Sequence, residues 1–152
     1  MQYFRLIESL PGRSGLGYGM APARWNLVGT PLIYGCNVSA LNFLELLSIK
    51  GPAVTQSSWK LIELEVIGAI PELDASQLAP DWKNRPHLRS TQELGTGWAK
   101  GMISLALKVP SCRIPLARYP EEHNLLINLF HPDFLKNIKI KQELDVSFEM
   151  NS

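Results

Sequence analysis

Between Ser39 and Ile49 the chain carries a single charge, Glu45, in an otherwise nearly apolar run. Leu41, Leu44 and Leu47 recur at helical spacing with Ala40, Phe43 and Leu46 beside them, so apolar side chains cover most of one helix surface. Asn37 or Ser39 can cap its start. A helix apolar on so many sides is expected to be deeply buried, which commits the rest of the chain to building a core around it. A carboxylate within that run is costly to bury alone. Glu45 therefore points outward to water or sits in a polar cleft, and residue type favours neither.

The other apolar segments read as strands. Tyr3 to Ile7 is short, aromatic and branched, and Leu32 to Gly35 is a brief buried strand after a turn at Gly29-Thr30-Pro31. Trp59 to Ile67 sets Glu63 and Glu65 between Ile62, Leu64 and Val66, a period of two with one wet face. Met102 to Val109, ended by Pro110, is a further strand; Asn124 to Phe130 and Ile138 to Phe148 flank a turn at His131-Pro132-Asp133. Pro71 to Pro86 reads as a long surface connection. After it, Ser90-Thr91-Gln92-Glu93 has the spacing of a capping box for a helix running to about Lys100. Strands outnumber helices and do not alternate with them, so the expected architecture is one α+β domain over residues 1–152 with a mixed, largely antiparallel sheet.

Composition removes several function classes. Hydrophobic residues at 45% and charged residues at 19% belong to a folded chain, and a formal charge of +1 offers no field for holding nucleic acid or an anionic membrane. No window reaches the roughly 18 to 20 apolar residues of a membrane span. Cys36 and Cys112 are not spaced as a metal knuckle or redox pair, and Met1-Gln2-Tyr3-Phe4-Arg5 lacks a signal-peptide apolar run; a reducing cytoplasm fits best. His87, His123 and His131 are scattered, which speaks against a metal site. Gly15-Leu16-Gly17-Tyr18-Gly19 lacks both Rossmann and Walker spacing and reads as a flexible loop, although its amides could approach a pyrophosphate. Ser111 is in no Gly-x-Ser-x-Gly elbow.

Arg24, Tyr34 and Glu45 occupy a loop, a strand and a helix within one short span. Spacing does not require them to meet: Arg24 could be a structural ion pair and Tyr34 a core aromatic whose hydroxyl reaches the surface.

Taken in order, the motifs resemble a known family. Tyr3-Phe4-Arg5, Arg24-Trp25-Asn26 with Gly29 to Tyr34, and Ala40 to Glu45 are similar to the N-terminal half of a RES domain. Asp81-Trp82, Thr91 to Trp98, Val109-Pro110-Ser111, and Leu126-Ile127-Asn128 through His131-Pro132-Asp133-Phe134 follow in that family's order. The resemblance implies an ADP-ribosyltransferase-like fold and a bacterial toxin that depletes NAD⁺ by cleaving its nicotinamide–ribose bond, with water or inorganic phosphate as acceptor. It implies no tightly bound cofactor, NAD⁺ as substrate, and an Xre-type DNA-binding antitoxin as partner; it leaves a homodimer open. By position in the motifs, Glu45, Arg24 and Tyr34 are the expected catalytic residues, and Arg5, Arg24, Tyr34, Ser111 and Asn128 the substrate-binding ones. Ala23 and Leu129 depart from the pattern, where glycine and proline are usual. Two rivals share the fold: an ADP-ribosyltransferase acting on a macromolecule, and an inactive binding protein.

Overall fold

A computed structural model describes residues 1–150. Its strands are β1 (Gln2–Glu8), β2 (Ile33–Cys36), β3 (Trp59–Val66), β4 (Ala106–Val109), β5 (Asn124–Ile127) and β6 (Ile138–Val146). They form one six-stranded sheet in the order β4-β5-β2-β1-β3-β6, and every pair of neighbours is antiparallel. Three α-helices accompany it: α1 (Ser39–Lys50), α2 (Arg89–Lys100) and the short α3 (Phe134–Asn137). The expected α+β class holds, with an antiparallel rather than mixed sheet.

The sheet is covered on both faces where it is most apolar. All four β5 residues are buried, and their alternation sends Leu125 and Ile127 into one cluster with Tyr3, Ile33, Ile62 and Leu64, and Leu126 into the other with Trp25, Trp82, Trp98 and Val109. Leu16, Ile70, Leu129 and Phe134 close the first cluster, so the Leu129 departure is a packing residue. Helix α2 closes the second through Trp98 and Ala99. In β3 the buried Ile62, Leu64 and Val66 alternate with the half-buried Glu63 and Glu65 as the period-two reading expects, while Trp59 and Leu61, of the same parity as the glutamates, are buried too.

Several local expectations are corrected. Helix α1 is not deeply buried: only Leu41 and Asn42 are, while Leu44 is 42% exposed. The helix packs against the central strands β1 and β2 along one side only, so much of its apolar surface, Leu44 and Ile49 included, is left uncovered. Neither Asn37 nor Ser39 caps it; the cap is Val38, and the Asn37 side chain instead accepts from the His123 N–H and donates to the Glu121 carbonyl. The capping box does not form, because α2 begins one residue before Ser90 and Glu93 pairs with Arg89 at 2.8 Å. The connection from Pro71 to Pro86 is anchored by Trp82, which is buried against Trp25. Strand β4 starts only at Ala106.

Two features of the fold open and shape a cleft. Strands β1 and β2 are paired at one position only, Phe4 opposite Cys36, so they splay apart on either side of that contact. There the backbones come so close that a Cβ on Gly35 would sit 2.9 Å from the Phe4 carbonyl oxygen, which a glycine relieves. Helix α2, for its part, holds the segment from Ala23 to Leu27 along one face. Gln92 donates to the Ala23 carbonyl, Gly95 packs on Trp25, and Thr96 Oγ1 accepts from the Leu27 N–H, positions spaced three and four apart as a helical face requires.

Candidate active site

Glu45 projects from α1 between two cavities that share it, Tyr34 and Ile49 as a common wall. The first, about 420 Å³, is lined by Arg5, Arg13, Cys36, Asn42 and Lys50 among others. The second, about 300 Å³, is lined by Arg24, Arg85, His87, Arg113 and Asn124. Each falls in the size range of ligand sites, and each presents cations that suit an anionic ligand.

The Glu45 carboxylate is held by two donors from the β4–β5 end of the sheet. Its Oε1 accepts from Ser111 Oγ at 2.7 Å and from Asn124 Nδ2 at 2.8 Å. Ser111 follows β4 and Asn124 opens β5, so the two donors arrive on neighbouring strands. The Arg113 N–H donates to Ser111 Oγ, which orients that hydroxyl's proton toward the carboxylate. On the other side of Asn124, Cys36 Sγ donates to Oδ1 at 3.1 Å. Burial, reinforced by the Glu45 charge, pushes the Cys36 thiol up, so it remains a protonated donor.

Arg24 is buried, and its Nη1 donates to the Trp82 carbonyl at 2.6 Å and toward the Asn84 carbonyl at 3.4 Å. Carbonyls rather than a carboxylate hold it; its charge is uncancelled at the cavity wall. The Tyr34 hydroxyl donates to Asn26 Oδ1 and accepts from the Trp25 N–H at 3.3 Å. Burial raises its pKa, so Tyr34 stays a neutral phenol with its hydroxyl engaged and its ring as a cleft surface. Arg5 Nη1 donates to the Gly15 carbonyl at 2.7 Å; burial, and secondarily Arg13, lowers its pKa to about 10, which leaves it charged at neutral pH. Gly15 itself is wedged near Glu143, Ile140 and Ile62, so the glycine loop is pinned at that point.

Of the residues singled out in the sequence, Arg5, Arg24, Tyr34 and Glu45 line this cleft and Ser111 touches it through Glu45. Asn128 does not join them. Its Nδ2 donates to the Ala99 carbonyl at 2.9 Å and its Oδ1 accepts from the Phe130 N–H, tying the β5 exit to the end of α2 beside a separate hollow. Sequence reasoning missed Asn124, Asn42, Arg85, His87 and Arg113. None sits in a recognisable spacing motif; Asn124, a polar residue beginning an otherwise apolar strand, was the one local signal. The His87 pKa is lowered, first by burial and then by Arg24, Arg85 and Arg113, so it is neutral at pH 7. Among the described residues no three His, Cys, Asp or Glu side chains are grouped to hold a metal, and no helix is long and apolar enough to cross a membrane.

Comparison with known proteins places these features in context. A family model described as the RES domain matches residues 7–149. A relative named Toxin Res from Yersinia enterocolitica is 31% identical over 136 residues, 88% of this chain and 86% of its own. A relative named Prs ADP-ribosylating toxin from a Sphingobium species is 32% identical over 133 residues, 85% of this chain and 79% of its own. The fold is similar to a chain in the crystal structure of the M. tuberculosis MbcT-MbcA toxin-antitoxin complex, with a TM-score of 0.74 at 16% identity, covering 96% of this chain and 84% of that one.

Proposed function

The chain belongs to the RES domain family, and from that membership we propose that it is the toxin of a bacterial toxin–antitoxin pair, an enzyme that cleaves the nicotinamide–ribose bond of NAD⁺. The observation that carries the reading is the placement of Glu45: one carboxylate, fixed by two hydrogen bonds on one oxygen, in the wall between two cationic cavities.

In this reading the dinucleotide lies across that wall. Arg24 and Arg5 hold its phosphates, and the Tyr34 ring packs on the nicotinamide. The bond between the ribose C1′ and the ring nitrogen breaks with its electron pair passing to nitrogen, which neutralises the pyridinium. The ribose carbon becomes oxocarbenium-like, and the free Oε2 of Glu45 stabilises it electrostatically while orienting a ribose hydroxyl. An oxygen of water or inorganic phosphate then bonds to C1′, and its proton leaves to solvent. The product is ADP-ribose or its 1″-phosphate. Ser111 acts through Glu45 in this scheme rather than on the substrate.

An enzyme that consumes NAD⁺ in the cytoplasm of its own cell needs restraint, and an Xre-type DNA-binding antitoxin covering the cleft supplies it. The similarity of the fold to a chain of the MbcT-MbcA toxin-antitoxin complex supports an antitoxin partner. A net charge of +1 gives the toxin little long-range attraction for DNA, so in this reading operator binding falls to the antitoxin.

The name of the Sphingobium relative favours a second reading, transfer of ADP-ribose to a macromolecule. Incubating the purified protein with adenine-labelled NAD⁺, with and without phosphate, and resolving products by mass tests both. Free ADP-ribose or its phosphate supports depletion, label retained on a protein supports transfer, and intact NAD⁺ under every condition sinks both.

A further inference from the structure

Glu45 Oε1 takes both hydrogen bonds that reach the carboxylate, and one of its donors is itself held in place by a third residue. Asn124 carries an amide with one accepting and two donating faces, so it can orient in two ways that differ in shape very little. Only one helps Glu45: the NH₂ must face the carboxylate, because the amide oxygen in that position would oppose its charge. Cys36 decides the matter from the opposite side. Its S–H donates to Asn124 Oδ1 at 3.1 Å, in a place where both residues are nearly sealed from water, Cys36 at 2% exposure and Asn124 at 9%. The β2–β5 register sets Cys36 directly opposite Asn124, so the pair meets by sheet geometry and not by a chance rotamer.

We propose that Cys36 and Asn124 form a positioning relay that locks the Asn124 amide with its NH₂ toward Glu45 and so turns the second carboxylate oxygen into the cleft. Each residue acts on the reaction through the next, Cys36 through Asn124 and Asn124 through Glu45. The relay also spans the site, since Cys36 borders the first cavity and Asn124 the second. A thiol suits the position because it is small enough for the tight β1–β2 crossing beside it and is kept protonated by its surroundings. The inference rests on Glu45 being the charge that serves the NAD⁺ reaction.

Three variants test it: Asn124→Ala, Cys36→Ala and Cys36→Ser. Steady-state NAD⁺ consumption is measured alongside the amide resonances of the Asn124 side chain in ¹⁵N-labelled protein. Removing a hydrogen bond to a charged group predicts that Asn124→Ala lowers kcat by about ten- to a hundredfold with KM within about threefold. Cys36→Ala should lower kcat by about three- to tenfold and shift the Asn124 amide signals, whereas Cys36→Ser, which restores a donor, should return kcat to within about twofold and recover the wild-type signals. A merely structural role would lower stability without this donor-dependent recovery. Should Asn124→Ala not fold, the Cys36 pair decides alone. Undiminished kcat and unmoved amide signals in Cys36→Ala overturn the relay, as does a Cys36→Ser protein no better than Cys36→Ala. If the wild type leaves NAD⁺ intact, the proposed reaction fails, and the amide signals still report whether Cys36 orients Asn124.

Discussion

Gly95 and Trp25 pack so closely that a Cβ added to Gly95 would lie 1.8 Å from the Trp25 carbonyl oxygen. This contact presses α2 against the segment that carries Arg24, with Gln92 and Thr96 pinning it on either side.

Gly95→Ala should therefore displace α2 or the Arg24 segment, since backbone opposes backbone and no side chain can swing away. Overpacking of this severity costs about 3 kcal/mol or more, seen as a fall in the denaturant midpoint. Gly97 lies in the same helix with nothing within 4 Å of its virtual Cβ. Gly97→Ala should instead raise stability by about 0.5 to 1 kcal/mol, through helix propensity. Equal effects of the two substitutions would contradict the packing assigned to Gly95.

Glu45→Gln keeps shape and most hydrogen bonding but removes the negative charge. Under the proposed mechanism NAD⁺ consumption should fall by about a hundred- to a thousandfold in kcat with little change in KM. Arg24→Ala removes a charge that meets the substrate before and during reaction, so both KM and kcat should suffer. Undiminished turnover by a folded Glu45→Gln protein, checked by circular dichroism, would take Glu45 out of the mechanism.

Ser111→Ala and Asn128→Ala should separate chemistry from scaffold. Loss of the Ser111 hydroxyl removes one of two bonds on Glu45 Oε1 and should lower kcat by roughly tenfold. Loss of the Asn128 amide frees the Ala99 carbonyl and the Phe130 N–H, and should cost about 1 to 3 kcal/mol of stability while turnover per folded molecule stays near wild type. Chemical denaturation with parallel kinetics distinguishes them; a large kcat loss in folded Asn128→Ala would return that residue to the site.

His123 should make stability depend on pH. Its Nε2 meets the Tyr3 hydroxyl at 2.8 Å and its Nδ1 meets the Pro120 carbonyl at 2.7 Å, an arrangement that suits the neutral ring with the proton on Nδ1. Burial is the main cause of its lowered pKa. The unfolded chain therefore binds the proton more readily, so the contribution is complete above the ordinary histidine value of about 6.5 and is lost as pH falls from there toward the folded value. Denaturation midpoints should decline below about pH 6.5, and a variant replacing His123 with a neutral residue should lose that part of the decline; an identical slope would refute the assignment.

The strands and both long helices were legible because their signals are local: period two in β3 and a capless but continuous apolar run in α1 are written within a dozen residues. The order of motifs carried Arg5, Arg24, Tyr34, Glu45, Ser111 and Asn128 as a set; the first five meet at the cleft, and Asn128 lies apart from it. Boundaries and caps were less legible, since the side chain of a capping candidate such as Asn37 is taken by long-range partners that no local window contains.

What tertiary structure alone decided is the choice left open for Glu45. Its residue type was neutral between solvent and cleft; the sheet order settled it by bringing Ser111 from 66 positions away and Asn124 from 79 to the same oxygen. The exposure of α1 was settled likewise, because a helix's burial depends on which surface it meets, not on how many apolar residues it offers. Local periodicity acts through neighbouring backbone bonds and is fully present in the sequence. Partnership across the sheet depends on register and strand order, and those exist only once the chain has folded.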